Sequence, residues 1–148
     1  MNLRRGELAD APAIATLMRT TFRVSLPFLP ELHTATQDLA YVSGHLMADT
    51  TIWVAEVNSV IAGYVVWRPD WIDHLYVHPD RQGQGIGPAL LARAMEDGAP
   101  KQLWAFQQNT RARRFYEARG FNAVEFTDGE GNEEKTPDVR YVWSPEGL

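Results

Sequence analysis

Leu75-Tyr76-Val77-His78-Pro79-Asp80-Arg81-Gln82-Gly83-Gln84-Gly85-Ile86-Gly87 leads directly into Pro88-Ala89-Leu90-Leu91-Ala92-Arg93-Ala94-Met95. The segment Trp71 to Val77 is apolar and aromatic and reads as a buried strand, while Pro88 to Met95 carries a helical pattern. Strand, glycine turn, helix is an arrangement that aims backbone N–H groups at an anion, because the first turn of a helix leaves those donors unpaired. Glycine supplies the positive φ of such a turn and lets a bulky anion approach the main chain. Pro88 suits the first helical turn, where its missing N–H costs no internal bond. The segment is built to hold a pyrophosphate.

Which pyrophosphate follows first from what is missing. No Gly-x-x-x-x-Gly-Lys-Ser/Thr run occurs. A Gly-x-Gly-x-x-Gly fingerprint fails in both registers, ending on Pro88 from Gly83 and on Leu90 from Gly85. What remains is Gln82-x-x-Gly85-x-Gly87 after Leu-Tyr-Val-His-Pro, which resembles the coenzyme A loop of the GNAT superfamily of N-acetyltransferases. Downstream, Asn109-Thr110-Arg111-Ala112-Arg113-Arg114-Phe115-Tyr116-Glu117-Ala118-Arg119-Gly120-Phe121 resembles that family's Asn-x-x-Ala-x-x-Phe-Tyr-Glu-x-x-Gly-Phe signature. The match spans Trp71 to Phe121. Its one departure is Pro88, which removes a backbone N–H that the family usually has.

The chain has 148 residues, 45% of them hydrophobic, with five tryptophans, which fits one folded domain over 1–148. Absence of cysteine excludes disulfides and thiolate chemistry. No run is apolar enough to span a bilayer and no signal-peptide core opens the chain, so a cytoplasmic protein without a membrane partner is expected. A net charge of −5 argues against a nucleic-acid partner. Arg111, Arg113, Arg114 and Arg119 read mostly as a solvated helix face. Metal is not expected, because His33, His45, His74 and His78 form no ligand spacing and Lys135 and Pro137 interrupt the acidic loop.

Patterning predicts a strand at Asn2 to Arg5 and a helix capped by Asp10 and running to about Phe22. It predicts a loop over Val24 to Pro30 and a helix from Thr34 to Met47, with Leu39, Val42 and Leu46 on one face. Two strands, Thr51 to Val57 and Val60 to Trp67, flank a two-residue turn at Asn58-Ser59. The strand from Trp71 to His78, the helix from Gly85 to Asp97 and the strand from Leu103 to Phe106 follow. A helix from Thr110 to Arg119 and a final strand pair, Phe121 to Phe126 with Val139 to Trp143, complete the order. These elements suggest a mixed α/β sheet with helices on both faces. The resemblance implies a GNAT-like, mostly antiparallel sheet splayed between its fourth and fifth strands, where the pantetheine arm enters.

It also implies an activity: direct attack of a primary amine on acetyl-CoA in a ternary complex, with acetyl-CoA as co-substrate and no metal. The acceptor is a small-molecule amine or a peptide N-terminus, and a homodimer is compatible with this. The alternative is a non-catalytic acyl-CoA sensor. By resemblance, CoA contacts fall to Gln82, Gly83, Gln84, Gly85, Ile86 and Gly87, to Asn109 and Phe115, and to backbone N–H groups near Tyr76 and Val77 at a strand bulge. Tyr116 is the proton donor for the leaving thiolate, since phenols and thiols have ordinary pKa values of about 10 and about 8.5. Packing in the core is its other reading. Asp73 is the candidate base or, equally, a salt-bridging carboxylate. Its neighbour His74 should point to the opposite face of the strand. Asn109 can also cap the Thr110 helix. Phe28, Trp71 and Tyr141 are candidates for the acceptor pocket.

Overall fold

The computed structural model describes residues 1–147. Its strands are β1 (Asn2–Arg5), β2 (Thr51–Val57), β3 (Val60–Arg68), β4 (Trp71–Val77), β5 (Lys101–Phe106), β6 (Asn122–Phe126) and β7 (Asp138–Trp143). The helices are α1 (Ala11–Ser25), α2 (Ala35–Tyr41), α3 (Met47–Asp49), α4 (Ile86–Ala94) and α5 (Thr110–Glu117). One seven-stranded sheet runs β1-β2-β3-β4-β5-β7-β6, antiparallel throughout except for parallel β4 and β5. Asn58 and Ser59 turn β2 into β3 with φ of 52° and 64°, the left-handed pair that a two-residue hairpin demands.

Strand β3 explains the layering. Ala62 to Val66 is an unbroken buried run, as a central strand covered on both faces requires. Tyr64 and Val66 join Ile14, Leu17, Met18, Val42 and Leu46 in a core under α1 and α2. Val65 joins Ile86, Leu90, Leu91, Leu103, Tyr116 and Tyr141 in a second core under α4 and α5. Helices on both faces are as expected. Gly63 sets how closely α4 approaches, since a Cβ there would lie 3.0 Å from Ile86 Cγ2 and 3.1 Å from the Tyr76 carbonyl oxygen.

The seam between β4 and β5 is closed at one end only. Trp71 and Gln102 form the single aligned pair, and the Gln102 N–H donates to the Asp70 carbonyl at 2.9 Å. Lys101, fully buried, pins that end by donating from Nζ to the Pro69 carbonyl at 2.8 Å and to Asp97 at 3.0 Å. Beyond it the strands part, as the resemblance implied.

Local differences have local causes. The first helix extends to Ser25, and the Asp10 carboxylate does not cap it. Instead it accepts from the Glu7 N–H at 2.7 Å and from the Arg4 guanidinium at 2.7 and 2.8 Å. The expected single helix to Met47 is three pieces, with a π turn at Val42–Leu46 joining α2 to α3. That wider turn buries Val42 and Leu46 together and leaves Leu39 38% exposed.

Candidate active site

A cavity of about 650 Å³ occupies the opened seam. Asp73 to Val77 of β4 and Leu103 to Phe106 of β5 form its walls, α1 contributes Thr21 and Ser25 with Leu26 just beyond its end, and α5 contributes Arg111, Ala112, Phe115 and Tyr116 with Arg119 just beyond its end. The turn from Arg81 into α4 closes one end, through Gln82, Gly83, Gly85, Ile86 and Gly87.

That turn has the geometry its glycines call for. Gly83 and Gly85 sit at φ of 80° and 84°, and Gly85 is the N-cap of α4. A Cβ at either would meet nothing within 4 Å, so the requirement is conformational rather than steric. Gly87 faces the Phe115 ring. The unpaired N–H groups of the first turn of α4 open onto the cavity beside Arg81 and, across from them, Arg111 and Arg119. None of these three guanidiniums has a carboxylate partner among the described residues, and Arg119 lies over the Phe115 ring. Arg113 is engaged otherwise, with the Tyr141 hydroxyl and the Gln107 carbonyl. Arg111, Arg114 and Arg119 are exposed, as the reading of most of the four as a solvated face expects, but Arg111 and Arg119 also border the cavity, and so does Arg81, which immediately precedes the turn.

Strand alternation decides which backbone groups of β4 are free. The His78 N–H donates to the Ala62 carbonyl of β3 at 2.8 Å, so Tyr76, two residues back, also turns its main-chain groups toward β3. Leu75 and Val77 turn theirs toward the parted seam, and the Val77 carbonyl accepts from the Gln82 amide at 3.3 Å. The free N–H groups therefore belong to Leu75 and Val77. Tyr76 instead sends its side chain to the α1 side, edge-on to Phe22 and Tyr64.

The bulge lies further upstream than expected. Val66 pairs with His74 and Trp67 with Ile72, so Asp73 is the extra residue. The extra residue cancels the expected alternation, and both Asp73 and His74 line the cavity. The Asp73 carboxylate is held by the Arg68 guanidinium through two bonds of 2.8 and 2.7 Å, the salt-bridged alternative. His74 stands between two phenols, Tyr64 on Nδ1 at 3.0 Å and Tyr41 on Nε2 at 3.3 Å. Burial pushes its pKa down to about 4, against a smaller upward pull from Asp73, so the ring is neutral at pH 7.

Tyr116 is 8% exposed and lines the cavity from α5, edge-on to Phe115 and Phe121. Its hydroxyl makes no hydrogen bond among the described residues. Burial, and next Tyr76, push its pKa well up, so it stays protonated at neutral pH but is less matched to a thiol than an ordinary phenol. Asn109 lines the cavity and also caps α5, accepting from the Ala112 N–H at 3.2 Å.

Four expected contacts fall outside. Tyr141 is fully buried beneath α5, its hydroxyl donating to Glu117 at 2.5 Å and accepting from Arg113 at 3.0 Å, and so cannot touch an acceptor. Trp71 lies at the closed end of the seam, in a side hollow with Arg68 and Trp104. Phe28 packs edge-on against Phe106 of the wall and does not itself line the cavity. Gln84 is exposed and does not line the cavity. Among the described residues no group of three His, Cys, Asp or Glu is placed to hold a metal ion, and no helix is long and apolar enough to cross a membrane.

Residues 48–123 match the family model described as an acetyltransferase (GNAT) domain. The chain is 25% identical over 125 residues to the peptidyl-lysine N-acetyltransferase YjaB of Salmonella typhimurium, covering 84% of this chain and 85% of that one. It is 29% identical over 108 residues to the L-amino acid N-acyltransferase MnaT of Escherichia coli, covering 66% of this chain and 62% of that one. The structure of YncA from Salmonella typhimurium with its cofactor acetyl-CoA superposes with a TM-score of 0.72 at 21% identity, over 96% of this chain and 91% of that one.

Proposed function

The chain belongs to the GNAT acetyltransferase family, and on that premise we propose that it moves an acetyl group from acetyl-CoA to a primary amine by direct attack within a ternary complex. The parted β4–β5 seam carries this reading. It combines two free N–H donors, Leu75 and Val77, with a glycine turn at a helix N-terminus and three guanidiniums without carboxylate partners. A pantetheine arm is a chain of amides, so it can pair with β4 as a strand would. Its pyrophosphate then reaches the first turn of α4, where the helix dipole and Arg81 favour it. Gln82 to Gly87, Asn109 and Phe115 hold the donor, although Gln84 does not line the cavity.

In the step itself the amine nitrogen attacks the thioester carbonyl carbon. The developing oxyanion is held by a backbone N–H of β4. The C–S bond then breaks, Tyr116 protonates the leaving sulfur, and the excess proton on nitrogen passes to water and restores the phenol. Amide and free thiol balance amine and thioester. Asp73, already paired with Arg68, holds the incoming ammonium, which releases one proton to water before its nitrogen attacks, so that Asp73 is not the sole base. The reaction runs in the cytoplasm, without a metal.

Titration calorimetry with acetyl-CoA, CoA and ATP, followed by thiol release across an amine panel, tests this. Binding of both CoA species but not ATP, with amine-dependent release, is the expected result. Binding without release for any amine would leave a sensor.

A further inference from the structure

The α1 side of the cavity is chemically unlike the phosphate side. Thr21 is 4% exposed, lines the cavity and has a hydroxyl with no hydrogen-bond partner in the described residues. A helical threonine ordinarily satisfies itself on the carbonyl one turn back, and a buried hydroxyl left alone is costly. Thr21 Oγ1 is the one side-chain polar atom among the described residues that is almost wholly enclosed and without a partner, and its residue borders the cavity where an acceptor must lie.

The net charge around that opening is negative, because among the described residues Glu133 and Glu134 have no guanidinium or ammonium partner, while Asp73 is paired with Arg68. Asp73 reaches the cavity. Asp73 and Glu133 lie near enough to Tyr41, and Glu134 to Tyr76, to help hold those phenols protonated, behind the larger effect of burial. The cations are engaged: Arg68 by Asp73, Arg19 by Asp38, Arg23 by Glu31, and Lys135 by the Glu130 carbonyl. His33 joins Glu133 across the gap between the α1–α2 loop and the β6–β7 loop. The carboxylate of an α-amino acid, fixed a few ångströms from the reacting nitrogen, would meet the Arg68-paired Asp73 and phenols on this side, the unpartnered guanidiniums of the described residues lying on the phosphate side. An alkylammonium on an unbranched stem meets carboxylates, aromatic faces and an unpartnered hydroxyl oxygen.

Resting on the acetyl-transfer reading above, we infer that the acceptor is a primary alkylammonium on an unbranched stem with no carboxylate beside it, as in a lysine side chain within a peptide or in an aliphatic diamine, and that the Thr21 hydroxyl accepts a hydrogen bond from it. The test uses the full chain with saturating acetyl-CoA and measures thiol release with Nα-acetyl-lysine amide, cadaverine, L-methionine and L-phenylalanine. The first two should exceed both amino acids at least about tenfold in kcat/KM, as one uncompensated charge implies. Which of the two is better separates the peptide from the diamine. Equal or better use of L-methionine or L-phenylalanine overturns the inference and leaves acetyl transfer standing, whereas no release with any amine overturns both. Thr21→Val should raise the KM of the better alkylamine about tenfold while the KM for acetyl-CoA is unchanged, and Thr21→Ser should restore it. An unchanged amine KM in Thr21→Val would remove Thr21 from the site.

Discussion

The two sides of the β4–β5 seam share one cavity and follow opposite rules. On the α4–α5 side, Arg81, Arg111 and Arg119 have no carboxylate partners among the described residues and stand around a turn whose backbone is the proposed ligand-binding surface. On the α1 side the guanidiniums are paired with carboxylates, and the proposed acceptor contacts fall to side chains such as Thr21 and Asp73. A backbone site must be bought with special residues, glycines at positive φ and an unpaired strand edge. A side-chain site can be assembled from any residues that the fold brings together. That difference governs both which variants should hurt and what the sequence reveals.

Tyr116 sits where the two sides meet, and its loss should be the largest effect. Tyr116→Phe should lower kcat roughly 10²–10⁴-fold with CoA affinity nearly unchanged, measured where chemistry limits the rate. A normal kcat would make the residue a packing aromatic. On the phosphate side, Gly85→Val forces a β-branched residue to φ of 84°. The Kd for CoA should rise roughly 10–100-fold by calorimetry, because a left-handed conformation costs such a residue about 1–2 kcal/mol or more. The KM of the amine should move far less, and an equal loss on both sides would erase the contrast.

Asp73→Asn should do the reverse on the α1 side. The amine KM should rise about three- to tenfold, as for a partly screened ion pair, with saturated kcat and CoA affinity kept. A fall in kcat together with a displaced pH–rate profile would instead make Asp73 the base. Acidification probes the same side more gently. His74 titrates near 4 in the folded chain, below an ordinary 6.5, so the unfolded chain takes up the proton first. Stability should fall as pH drops from about 6.5 to about 4 and then cease to respond to this group. Thermal unfolding of the wild type against His74→Gln should show that slope flattened in the variant. A slope unchanged in the variant would assign the acid sensitivity elsewhere.

Legibility in the sequence follows the same division. The glycine turn, the Asn109 to Phe121 signature and the strand order could be read because each is local, a matter of consecutive residues and backbone conformation. The Asn58-Ser59 turn was readable for that reason too. Non-local features were not. The bulge that places Asp73 and His74 together arises from how β4 pairs with β3, and nothing in either strand alone announces it. Tyr141 looks like any strand aromatic until α5 covers it and Glu117 and Arg113 capture its hydroxyl. The π turn at Val42–Leu46 answers a packing demand from the α1 core. Thr21 carries no sequence signal at all, since an unremarkable helical threonine becomes notable only once its missing partner is seen. Arg81 had a signal, its place beside the turn.

The most direct test is a two-substrate initial-velocity study in which acetyl-CoA is varied at several fixed concentrations of a competent amine. If donor and acceptor occupy the two sides of one cavity as proposed, both should be bound before chemistry, so double-reciprocal plots should intersect. Parallel lines, with acetyl-enzyme accumulating in the absence of amine, would mean a covalent relay through the protein and would contradict the account.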